Sequence, residues 1–233
     1  MSAAAQPWRR SSLLLAAAGT LGSLASAAPP PCFDLASGFD APLRAPIELQ
    51  EGKDHAEFGT DADGKDWAAV RGVVAMPIAK VYAKLLDPRN LKDMKKTRLV
   101  VRPQSQPGYL ELREVDIEVA ARALLVKMTI RWTEQWAFRL MEGTAEQPLH
   151  ILASYQKAAG TPHIRHQCGS YVLRARGGDA TDLSAYEEIE AKRRSAKDTR
   201  DMLLGNLRSI REDRWDAERM SEDPRVKVEG ALP

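Results

Sequence analysis

The sequence predicts an α+β domain: an antiparallel sheet with two short helices after its first strand and one long helix near its end. Three observations predict it. Ile78, Val81, Tyr82, Leu85 and Leu86 recur at helical spacing and are cut off by Asp87-Pro88. From Thr97 to Ala191 the chain alternates apolar and polar residues between turn signals, and helical spacing returns from about Ser195 to Glu212. Strands grouped apart from helices are the mark of an α+β layer arrangement rather than of an alternating one.

Each element follows from its own residues. Asp61-Ala62-Asp63-Gly64 is a turn signal, and DWAAVRGVVA (66–75) is the strand after it. Pro77 stands at the start of the first helix, where its fixed φ suits the helix and its missing N–H is not needed. Asp87 precedes a proline and is pushed out of the α region, so the helix stops and a second stub of a turn or two begins. In ALLVKMTIRWTEQWAF (123–138), Leu124, Val126, Met128, Ile130 and Trp132 share one face of a half-buried strand. TRLVVR (97–102), YLELREVDIEV (109–119), LHILASYQ (149–156) and HQCGSYVLRAR (166–176) read the same way. Gln106-Pro107-Gly108, Glu142-Gly143, Ala159-Gly160-Thr161-Pro162 and Gly177-Gly178-Asp179 separate these segments. ATDLSAYEEIEA (180–191) is the last strand, although its Glu-rich end equally fits the start of a helix. On the final helix Thr199, Met202, Leu203, Leu207 and Ile210 form a narrow stripe. Gly205 lies inside it at a cost of about 1 kcal/mol relative to Ala, which points to a packing reason.

The first residues stand apart from this domain. Trp8-Arg9-Arg10, an apolar stretch from Ser12 to Leu24 and Ala25-Ser26-Ala27 make a signal peptide cleaved after Ala27, and the expectation is a periplasmic or secreted protein. The apolar stretch falls short of the roughly 20 residues of a membrane span, so no stable span remains after cleavage. Cleavage removes two arginines and no acid, leaving 32 basic against 32 acidic residues. A neutral exported chain without a basic stripe excludes nucleic acid as a partner. Residues 28–56, rich in proline, read as an N-terminal arm, 57–212 as the domain, and 213–233 as a charged C-terminal tail. An oxidising compartment favours pairing of the two cysteines, Cys32 and Cys168, which would tie the arm to the body.

Catalytic constellations are scarce. His163 and His166 are spaced i, i+3 in a turn entering a strand and do not converge as i, i+4 on a helix would; with no metal-ligand spacing elsewhere, neither metal nor cofactor is expected. There is no G-x-S-x-G elbow and no C-x-x-C, and Gly177-Gly178 is a hairpin turn rather than a phosphate loop. The aromatic set of Trp132, Trp136, Phe138, Tyr155 and Tyr171 falls in predicted strands and fits both an ordinary core and a hydrophobic ligand site.

The order strand, two stubs, about six strands, long helix resembles the START-like or SRPBCC superfamily, of the polyketide cyclase and coenzyme Q-binding type. The resemblance spans roughly residues 57–212. It is carried by V-x-G-V-V-x-x-P-I-x-K-V-Y-x-x-L-x-D-P from Val70 to Pro88, by G-S-Y-V-L and G-G-D-A-T-D-L-S-A-Y between Gly169 and Tyr186, and by L-G-N-L-R at 204–208. It implies the helix-grip fold, in which the stubs close one end of a curved sheet and the long helix lies across the concave side over a cavity. Mapped onto this sequence, the cavity residues would be Leu91, Met94, Met128, Ile130, Trp132, Trp136, Phe138, Tyr155, Tyr171, Leu203, Leu207 and Ile210, with Leu203, Leu207 and Ile210 opposite Met128, Ile130 and Trp132. The implied function is binding of a lipid or other hydrophobic small molecule. A cyclase or aromatase-like enzyme, or an interaction module with a vestigial cavity, are the alternatives. Tyr186 to Arg194 is continuous and charged where the family has a proline-containing turn, which leaves the start of the helix open.

Overall fold

The computed structural model describes residues 35–36, 48–123, 126–192, 194–212 and 217–230. The leader read over 1–27, most of the arm including Cys32, and Leu124 lie outside the described residues. The chain forms β1 (His55–Thr60), β2 (Asp66–Val74), α1 (Ile78–Leu85), a 3-10 turn (Pro88–Asn90), β3 (Thr97–Gln104), β4 (Glu111–Ala123) and β5 (Val126–Gly143). It continues through β6 (Pro148–Gly160), β7 (Ile164–Arg176), β8 (Ala180–Ala191) and α2 (Ala196–Arg211), then a second 3-10 segment (Ala217–Glu222) and β9 (Val226–Val228). Among the described residues the strands form one curved sheet in the order β1-β2-β8-β7-β6-β5-β4-β3-β9. All neighbours are antiparallel except β3 and β9. This is the helix-grip arrangement: α1 packs against β6, β7 and β8, and α2 lies over β1, β2 and β8 on the same concave face. No described helix is long and apolar enough to cross a membrane.

The break between the two stubs has a local cause. The Asp87 carboxylate accepts the backbone N–H of Arg89 at 2.9 Å and the Arg89 guanidinium at 2.6 Å, so it caps the 3-10 turn that Pro88 begins. Asn90 Nδ2 donates to the carbonyl of Lys84 at 2.8 Å, adding to the Asp87 N–H that reaches the same oxygen at 3.3 Å at the end of α1. At the other helix the open question is settled by a capping box. Ser195 is the N-cap, its hydroxyl accepts the Asp198 N–H, and the Asp198 carboxylate accepts the Ser195 N–H at 2.9 Å. The Glu-rich segment before it is therefore strand, and β8 runs on to Ala191.

Four expectations are revised. A Cβ on Gly205 would meet nothing within 4 Å, so no packing reason stands behind that glycine. The segment read as a charged tail returns to the sheet: β9 pairs with β3, Met220 and Val226 are buried, and Asp223 pairs with Arg225 at 2.6 Å and Arg89 at 3.6 Å. A strand of three residues carries too short a period to be read from sequence. β1 likewise extends the sheet beyond β2 from a stretch assigned partly to the arm. Finally, α2 does not face Met128, Ile130 and Trp132, because β5 lies three strand spacings, about 14 Å, away from β8.

Candidate functional site

The concave face is built from two cross-strand rows that mix large residues with small ones. One row runs Arg113, Trp136, Tyr155, Gly169, Glu187, Ala68, and the next runs Glu111, Phe138, Ala153, Tyr171, Ala185, Val70. Tyr155 leans over the small neighbour beside it, Gly169. A Cβ on Gly169 would collide with the Tyr155 ring and the Tyr186 carbonyl; its absence lets the phenol cross the strand and donate to Glu187 at 2.5 Å. Trp136 stacks on Tyr155 with centroids 4.4 Å apart and on Phe138 at 5.9 Å, and Tyr82 of α1 meets Phe138 edge-on at 5.8 Å.

Polar groups are buried beneath these rings, each with partners. Glu134, fully buried, accepts from Lys92 at 2.7 Å and from the indole N–H groups of Trp132 and Trp136, both at 3.0 Å. Glu187 accepts from Tyr155, from Gln167 at 3.3 Å and from Arg194 at 2.7 Å, while Asn206 of α2 donates to the Tyr171 hydroxyl at 2.9 Å. Burial pushes the Tyr155 and Tyr171 phenols well above their ordinary range. Burial also raises the Glu111 carboxyl against the pull of Arg113 beside it. Chemically, the arrangement holds two compensated carboxylates, Glu134 and Glu187, and two hydrogen-bonded phenols, Tyr155 and Tyr171, in the buried interior.

The residues expected to line a cavity fall into two groups. Trp136, Phe138, Tyr155, Tyr171, Leu203, Leu207, Ile210, Leu91 and Met94 are all buried, at 7% exposure or less, so they pack mainly on one another and offer little surface to a ligand, although Trp136 also borders the first of the two cavities described below. Met128, Ile130 and Trp132 are half-buried and lie farther along β5 on the same face, beyond the reach of α1 and α2. Lys92 marks the boundary, its ammonium 5.7 Å from the centre of the Trp132 ring. Two cavities, of about 650 and 530 Å³, open instead on the convex side. Leu35, Tyr109, Leu112 and Gln135 are among those lining the first, and Val100, Asp116, Arg131 and Thr133 the second.

Sequence reasoning missed Glu134, Glu187, Lys92, Arg194 and Asn206. For Glu134 a signal existed: extending the alternation through Trp132, Trp136 and Phe138 puts a carboxylate on the apolar face, which demands a buried partner. The identity of that partner, 42 residues away in the turn after α1, had no local signal.

No family model matches the chain, and no curated protein matches it either. Similar solved structures include the ZhuI aromatase/cyclase from Streptomyces sp. R1128, at 14% identity and a TM-score of 0.41, covering 73% of this chain and 98% of that one. The human StarD13 lipid transfer and protein localization domain is similar at 11% identity and a TM-score of 0.48, covering 71% and 87%. Human STARD10 is similar at 8% identity and a TM-score of 0.49, covering 76% and 74%. The helix-grip architecture stands on the chain's own element order and topology.

Proposed function

We propose that this protein is exported, and that it binds a lipid or other apolar small molecule on the open half of its concave face. The observation that supports this is the half-buried row Met128, Ile130, Trp132, an apolar surface on a sheet whose helices stop short of it and which ends inward at the Lys92–Glu134 pair. An apolar chain laid along that row removes hydrophobic surface from water, at about 25 cal/mol per Å². The alternative of a cyclase-like enzyme would draw on Glu187 and Tyr155. Both are 2% exposed or less and have their polar atoms committed to neighbours, which argues against their meeting a substrate.

Binding of an apolar fluorescent probe tests the reading. The wild type takes up the probe, and Ile130→Lys loses it, because an unpaired charge on an apolar contact surface is strongly disfavoured. Leu203→Phe, in the filled region, destabilises the fold by about 1–3 kcal/mol and leaves the probe affinity of the folded fraction unchanged. A wild type that takes up nothing from a broad lipid panel rejects the binding reading and leaves the interaction module. Export has a separate test: N-terminal sequencing of protein from fractionated cells finds Ala28 first, and a cytoplasmic product that starts at Met1 rejects it.

A further inference from the structure

Two strands on the opposite face bring together three side chains that the sequence keeps apart. Cys168 on β7 pairs in register with Glu188 on β8, and His166 precedes Cys168 by two residues, which puts it on the same side of the strand. His166 Nε2 lies 3.3 Å from Cys168 Sγ and 2.8 Å from Glu188 Oε1, and the ligand atoms of the three lie within 4.8 Å of one another. No spacing rule finds such a site, because Cys168 and Glu188 are neighbours only through strand pairing.

We infer that His166, Cys168 and Glu188 form a site for zinc, or a divalent ion of similar softness, whenever Cys168 is a thiolate. Metal binding and disulfide formation then exclude each other at one sulfur. In the structure Cys168 is disulfide-bonded, and Cys32, the only other cysteine of the sequence, lies outside the described residues. A disulfide sulfur is a poor ligand, whereas a thiolate with one imidazole and one carboxylate is a donor set that suits zinc better than magnesium or calcium.

The geometry fits. Around tetrahedral zinc, with bonds of about 2.0–2.3 Å, ligand atoms sit roughly 3.2–3.6 Å apart, so the two His166 contacts, at 3.3 and 2.8 Å, need to spread by at most a few tenths of an ångström, and the Cys168 and Glu188 atoms, within 4.8 Å of each other, close on the metal by side-chain rotation. β7 and β8 are interior strands, which holds the ligand backbones in place. Outside the ligands, the Tyr186 hydroxyl donates to the other Glu188 oxygen at 3.1 Å, the kind of support that orients a metal-bound carboxylate. Lys65, 3.2 Å from Glu188 Oε1, is the cation the metal would displace. Cys168 is buried while the His166 and Glu188 side chains are 15% and 21% exposed, so an ion can reach the cluster from solvent. The redox step balances with a dithiol reductant: two electrons and two protons pass to the disulfide, giving two cysteine thiols and an oxidised dithiol. The Cys168 thiol then releases its proton to the buffer as the metal binds.

Cobalt(II) titration of the full chain tests this, because a thiolate ligand gives a near-ultraviolet charge-transfer band that a structural role would not produce. Cys32→Ser frees Cys168 without reductant. It should bind one cobalt per chain with that band, as should the reduced wild type, and zinc should bleach it. The oxidised wild type and Cys168→Ser should show no band. In the Cys32→Ser background, His166→Ala and Glu188→Gln should each weaken binding by more than about tenfold, with circular dichroism confirming that they are folded. The site is overturned if Cys32→Ser shows no band, or if the band and affinity survive both ligand substitutions, which would mean a lone adventitious thiolate. Cobalt bound with equal affinity by the oxidised protein would overturn the mutual exclusion.

Discussion

One strand, β5, carries both halves of the concave face, and the two halves differ in what covers them. At Trp136 and Phe138 the rings are stacked, 4% and 0% exposed, and roofed by α1 and the strands it grips. At Met128, Ile130 and Trp132 the same face is only half-buried. Chemistry does not separate them, since both are aromatic or aliphatic. Length does: the 18 residues of β5 extend about 60 Å, whereas the 16 residues of α2 span about 24 Å. A sheet that outgrows its helices leaves apolar surface for something else to cover, and the filled half supplies the rigid floor on which that surface is held.

The contrast breaks most sharply at Phe138. Phe138→Ala should cost about 3–5 kcal/mol in denaturant unfolding, through lost contacts and the cavity left behind. Ile130→Ala, with its surface already half in water, should cost about 1 kcal/mol. Equal costs would mean that the open half is packed like the closed one. Lys92→Met tests the boundary between them. It leaves the Glu134 carboxylate buried with only two indole donors and should lose about 2–3 kcal/mol, below the full 3–5 for a broken buried pair because Lys92 retains 13% exposure. If the double substitution Lys92→Met, Glu134→Leu recovers most of that loss, the pair specifies the site rather than stabilises it.

Acid sharpens the picture at the sheet end. Arg225, with Arg89 farther off, holds the Asp223 carboxyl below its ordinary value. A depressed folded-state pKa contributes stability that is present above the unfolded value of about 3.9 and is lost as pH falls from there. Urea midpoints between pH 5 and pH 2 should therefore fall less steeply in Asp223→Asn than in the wild type; identical slopes would detach the C-terminal return from the stability of the stub end. The smallest effect is a gain. Gly205→Ala should stabilise by about 1 kcal/mol, since the added methyl meets open space and removes a flexible residue from α2. A loss there would reveal a neighbour that covers this face in solution.

Much of the fold was legible because its signals are local. Asp87-Pro88 terminates a helix by sterics within one peptide, and period-two alternation in β5 needs no partner to be seen; the capping pair Ser195 and Asp198, three residues apart, was as local a signal, but the charged run before it had left the start of α2 open. β9 was not legible, since Val226-Lys227-Val228 is a strand only because β3 lies beside it. The buried polar set was half legible. Glu134 breaks an apolar alternation that the sequence displays, but whether Lys92, Arg194 or water answers a buried carboxylate depends on where distant turns come to rest.

The sequence by itself determined the order of the elements from β2 to α2, the alternation of their faces and the end of α1, because backbone sterics and side-chain periodicity act over a few residues. Tertiary structure alone decided that the aromatic set closes into a stack at one end and stays half-open at the other. It also decided that Cys168, His166 and Glu188 meet. Both depend on register and on how far a helix reaches across a sheet, and those quantities are set by the free energy of the whole packed layer rather than by any stretch of chain.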